Sequence, residues 1–128
     1  MIAWSGNLGR LGRDDRGATA VEFAVVGPLV VMVLVGIVSL SLMLLSIGGM
    51  HFAVEAAARC ASAIPTVCSS PATIVAYANS RYFGAFTTPT FTYVAAACGN
   101  QVSASVTYTL NAGMYTQSVP LSATSCFP

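Results

Sequence analysis

Lysine is absent from this 128-residue chain, and His51 is its only histidine. Charged residues make up 7% of the sequence, against roughly 25% in an ordinary soluble domain. Five arginines with no lysine cannot track a phosphate backbone, which excludes a nucleic-acid binder of the basic-patch type. No formal charge occurs from Tyr82 to Pro128. Past the long apolar run there are one histidine, one glutamate and no aspartate, so no Ser-His-Asp set can be drawn. No C-x-x-C spacing exists, which removes the thiol-oxidoreductase motif. Together with the missing second histidine, it also argues against a zinc site. Disorder is excluded in turn, because 55% of the residues are apolar. These absences describe a non-enzymatic chain with no cofactor, metal or small-molecule substrate.

The charges that remain are informative by position. Arg10, Arg13, Asp14, Asp15 and Arg16 crowd together, and only Glu22, Glu55, Arg59 and Arg81 follow. The run between Glu22 and Glu55 carries no charge. It exceeds the roughly 20 apolar residues a membrane-spanning helix needs, and it is too long for the apolar core of a cleaved secretory signal. A span over about residues 23–47 is expected. Arginines precede the span and none follows until Arg59, which places the N-terminus in the cytoplasm and the remainder outside. Gly27-Pro28 marks a bend, or a proline tolerated near the start of a helix. Gly48-Gly49 is a point of loosening at the membrane exit. Gly27, Gly36, Ser39, Ser41, Ser46, Gly48 and Gly49 offer small residues for helix–helix packing in lipid.

Cys60, Cys68, Cys98 and Cys126 all lie beyond the span, where disulfides form. Four cysteines allow three pairings. The favoured one joins Cys60 to Cys68 and Cys98 to Cys126.

The segment Arg16-Gly17-Ala18-Thr19-Ala20-Val21-Glu22-Phe23 joins a charged leader, a glycine, and an apolar helix whose single charge stands five places after that glycine. Thr19-x-x-Glu22 is also a capping-box pattern, and a glutamate in a first helical turn is commonly a cap or a dipole partner. The whole string resembles the processing site of type IV prepilins, in particular the TadE/TadF-like minor pseudopilins of the Tad/Flp pilus system. The Glu55–Cys60 segment and the C-terminal cysteine region extend the similarity. That resemblance implies cleavage by a prepilin peptidase between Gly17 and Ala18. It implies a role for Glu22 and Phe23 in setting the register of assembly. Its implied partners are that peptidase, other pilin or pseudopilin subunits and the Tad inner-membrane platform. It implies a single-pass protein of the bacterial inner membrane with a periplasmic head, assembled into a pilus for adhesion or secretion or initiating one. The alternative is a membrane-anchored assembly factor that never enters a filament. Cleavage would leave 111 residues whose side-chain charges cancel, a composition that resists self-association poorly.

The expected organisation is a leader over 1–17, a long helix over 18–63 and a head over 64–128. Glu55 and Arg59 stand at i, i+4. Pro71 begins a short helix capped by Ser69 or Ser70, running to about residue 83 and ended by Gly84. Ile74, Tyr77, Ala78 and the stem of Arg81 supply its inner face. Alternation over 90–97, 102–110 and 118–125 predicts three antiparallel strands with one Ser/Thr face, with turns at Gly99-Asn100 and Asn111-Ala112-Gly113. The fold class is α+β and pilin-like: a long transmembrane helix plus a small head with a short helix and a three-stranded sheet.

Overall fold

The computed structural model describes residues 15–85, 87–112 and 115–128. Arg10, Arg13 and Asp14 of the expected leader, the side chains of Asp15 and Arg16, and the expected turn residue Gly113 lie outside the described set. Five elements follow in order: α1 (Asp15–Ala63), α2 (Pro71–Arg81), β1 (Thr90–Ala96), β2 (Gly99–Ala112) and β3 (Tyr115–Phe127). The chain divides into two compact units, residues 1–35 and 36–128.

The described part of the first unit is helix. From Gly17 to Val35 every side chain is exposed except that of the half-exposed Gly27 position. The residues are apolar all round, with mean hydropathy 2.8 over the most apolar window of the span. A helix with no polar face that is not buried in protein has lipid as its natural surroundings. This helix is long and apolar enough to cross a membrane.

The second unit holds the rest of α1 and the head. Here α1 acquires an inner face. Ser46, Met50, Ala53, Val54, Ala57 and Ala58 are buried, at the three- and four-residue spacing of one helical stripe. Met50, Ala53, Val54, Ala57 and Ala58 form one core with Ile74 and Ala78 of α2, Phe91 of β1, Val102 and Ala104 of β2, and Ala123 of β3. Burying side chains as large as Met50 and Val54 is worth about 1.5–3 kcal/mol each. Ser46 enters this stripe because its hydroxyl donates to the Leu42 carbonyl, within its own helix.

The sheet has the order β1-β2-β3, antiparallel throughout. Thr90 pairs with Ser105 and Ala96 with Gly99, then Asn100 with Phe127 and Ala112 with Tyr115. All three strands exist as expected, and β2 and β3 are longer. They extend past the alternating segments because each continues to find backbone partners in the other. The first turn is Ala97-Cys98, not Gly99-Asn100. Gly99 closes it at φ +117°, and a Cβ there would lie 2.6 Å from the Pro128 Cα. Both the conformation and the close approach require glycine.

Several sequence expectations are corrected. Residues 15–18 are already helical, so Thr19 and Glu22 occupy the helix interior and do not form an N-terminal box. The helix runs through Gly48-Gly49 without a break. Of the small residues, Ser46 and Gly49 face the chain's own head, while Gly36 and Gly48 stand open. Helix α2 stops at Arg81 because Tyr82 turns extended, at φ −71° and ψ 131°, so Gly84 lies beyond the end. Ser70 is its cap, in a reciprocal capping box with Thr73. Arg81 is exposed and lies over the Tyr77 ring at 4.9 Å.

Candidate processing and assembly segment

Gly17, Ala18, Glu22, Phe23, Gly27 and Pro28 all lie on the exposed helix of the first unit. Among the described residues, no atom lies within 4 Å of the position a Cβ on Gly17 would take. No described residue packs against this glycine. Four residues separate Ala18 from Glu22, one turn and about 6 Å of rise, so the two share a face. Glu22 is exposed, and among the described residues no cation forms a salt bridge with it. A carboxylate at the edge of an apolar helix is costly in hydrocarbon unless it is paired.

Phe23 is 79% exposed. Its ring edge lies 3.9 Å from where a Gly27 Cβ would be. Gly27 and Pro28 leave a shallow apolar groove bordered by Phe23, Ala24, Val30 and Val31. Pro28 has no N–H, so the Ala24 carbonyl lacks its helical donor. The helix nonetheless continues through this point.

The distal end of α1 is held differently. Cys60 is bonded to Cys68, tying the helix end to the loop before α2. Cys98 is bonded to Cys126, tying the first turn to the end of β3. This is the pairing favoured by sequence. Asn100 Nδ2 donates to Ser62 Oγ at 3.0 Å, and the Tyr93 hydroxyl donates to Asn100 Oδ1 at 2.7 Å. Arg59 pairs with Glu55 and lies 5.1 Å over the Phe127 ring. Sequence reading missed the Tyr93–Asn100–Ser62 chain, since nothing local marks three polar residues so far apart.

No group of three or more His, Cys, Asp or Glu side chains that could hold a metal ion occurs among the described residues. His51 is exposed at the surface of α1.

Residues 17–59 match the TadE-like protein family. The match opens at Gly17 and covers α1 almost to its end, leaving α2 and the sheet outside it. No curated protein and no solved structure matches the chain. The similarity is to a TadE-like protein and covers about a third of the chain. The long apolar helix, the membrane association it suits and the two disulfides agree with it.

Proposed function

We propose that this TadE-like chain is a minor pseudopilin, cut between Gly17 and Ala18 by a prepilin peptidase and then assembled into, or used to initiate, a Tad-type pilus. The observation that supports the reading is the family match opening at Gly17, on a helix where no described residue packs against that glycine.

Cleavage would create an amine on Ala18, on the same face as Glu22. Insertion of the helix among others would be favoured only at the height where the Glu22 carboxylate meets such an amine, its own or a neighbour's. One charge then sets axial register. Phe23 and the groove at Gly27-Pro28 would be covered by an adjoining helix. The N-terminus would face the cytoplasm and the head the periplasm, by the arginines that precede the span. The partners would be the peptidase, other pilin subunits and the inner-membrane platform of the system.

The test is the intact mass and N-terminal sequence of the protein made with and without its peptidase. A product beginning at Ala18, lost on Gly17→Val, is expected. No described residue meets a Cβ at Gly17, so that substitution tests processing without disturbing the described fold. Retention of residues 1–17 in the presence of the peptidase would refute the proposal.

A further inference from the structure

The two disulfides lie in different surroundings. Cys60 and Cys68 are 3% and 5% exposed and belong to the core that α1, α2 and the sheet build together. Cys98 lies in the turn between β1 and β2 and is exposed, as is its neighbour Ala97. Its partner Cys126, on β3, is half-buried. A disulfide is opened by a thiolate that reaches one of its sulfurs, so access decides which bond reacts. Cys98 offers that access from solvent. Cys60 and Cys68 offer it only once packed side chains have moved apart. No acidic residue occurs from Tyr82 onward, so this segment holds no fixed negative charge to repel an incoming thiolate.

Both ends of the exposed bond are also held by other contacts. Ala96 pairs with Gly99 across the turn that carries Cys98. Gln101 pairs with Cys126, and Asn100 with Phe127, in the β2–β3 ladder. The Ser62 hydroxyl donates to the Phe127 carbonyl at 3.3 Å and fixes the end of β3 to the end of α1. With the bond open, these contacts keep the two cysteines close to their Cα separation of 6.2 Å, so the bond can form again without refolding. The turn is a two-residue reversal at one end of the sheet, within reach of a protein surface as well as of a small thiol.

We propose that Cys98–Cys126 is a site of thiol–disulfide exchange on the folded head, acted on by the dithiol of another protein, and that Cys60–Cys68 is a fixed bond. The site does not rest on processing at Gly17. A thiolate of the partner attacks Cys98 Sγ and forms a mixed disulfide with it. The bond to Cys126 Sγ breaks, and that sulfur leaves as a thiolate and takes a proton from water. The second thiol of the partner loses its proton, attacks the mixed disulfide and releases Cys98 as a thiolate, which is protonated in turn. The partner dithiol supplies two electrons and becomes a disulfide. The same steps in reverse restore the bond. Reduction leaves the last residues of β3 held by hydrogen bonds alone, free to open separately from the core.

The test uses the unaltered full chain in detergent, without denaturant. Lysine is absent and Arg59 and Arg81 are the last two arginines, so trypsin releases residues 60–81 and 82–128 as separate peptides with one cysteine pair each. The chain is given dithiothreitol, with or without a catalytic amount of thioredoxin, and sampled over time into a maleimide before digestion and mass measurement. Peptide 82–128 is expected to gain two maleimides at least about tenfold faster than peptide 60–81. Its rate should rise in proportion to dithiothreitol and rise further with thioredoxin, while peptide 60–81 stays unlabelled and reports that the core is closed. Adding oxidised glutathione should abolish the labelling. Equal rates for the two peptides, or labelling of 60–81 first, would overturn the assignment. So would a rate for 82–128 that is independent of dithiothreitol, which would show that opening of the fold precedes attack. No reaction of 82–128 without denaturant refutes access altogether. Reduction that thioredoxin does not accelerate refutes the protein dithiol as the partner.

Discussion

Two adjacent glycines should respond oppositely to the same substitution. Gly48 and Gly49 both sit inside α1, where alanine is favoured over glycine by about 0.8–1 kcal/mol. A Cβ on Gly48 meets nothing within 4 Å. A Cβ on Gly49 falls inside contact distance of the Phe83 carbonyl oxygen, 2.9 Å from its carbon and 3.3 Å from a ring carbon of Tyr82. The obstacle is backbone and cannot swing aside as a side chain would. Overpacking of this kind costs about 1–3 kcal/mol, and a backbone collision belongs in the upper half of that range. Less the propensity gain, Gly49→Ala should destabilise by about 1–2 kcal/mol and Gly48→Ala should stabilise by just under about 1 kcal/mol. For a unit of this size each kcal/mol moves the midpoint by about 4–8 °C. The assay is thermal unfolding of the full chain in detergent, followed by the near-ultraviolet signal of the head tyrosines. If Gly49→Ala raises the midpoint as Gly48→Ala does, the close approach of α1 to the 82–84 segment is refuted.

Met50, fully buried against the head, should cost about 2–5 kcal/mol on Met50→Ala in the same unfolding assay. The two disulfides close loops with separations of 8 and 28 residues. By chain entropy their removal should cost about 2.5 and about 3.6 kcal/mol respectively, so Cys98→Ser with Cys126→Ser should lower the midpoint more than Cys60→Ser with Cys68→Ser. The reverse order would show that strain or residual structure outweighs loop length. The Glu55–Arg59 pair is more than half exposed on both sides. Glu55→Gln should therefore change stability by less than about 1 kcal/mol, and little more at low salt than at high salt.

The signals that suggest a processing segment are local. A charged leader, a glycine, a glutamate and an uncharged run appear in order along one stretch of chain, and each can be read without knowing what lies beside it. The strands were legible for the same reason. Val102, Ala104, Val106 and Tyr108 alternate with Ser and Thr, and the sheet buries or half-buries that apolar set. Where the reading failed, the missing information was a distant partner. Gly49 looks like a weak point in a helix until Phe83 is placed against it. Gly84 looks like a helix stop, yet the chain turns extended at Tyr82, whose ring packs edge-on against Phe91. The Thr19–Glu22 capping pattern is undone because helix extends upstream of it.

Composition and order along the chain determined by themselves that this protein has one long apolar helix and a small head of helix and sheet in which Arg81 is the single charged side chain. These follow from hydrogen bonding and hydrophobic periodicity, which act over a few residues. Tertiary structure alone decided which face of α1 carries the head, how far down the helix the sheet reaches, and which small residues serve contact and which stand open. Those depend on steric fit between segments tens of residues apart, and no short window of sequence contains both surfaces.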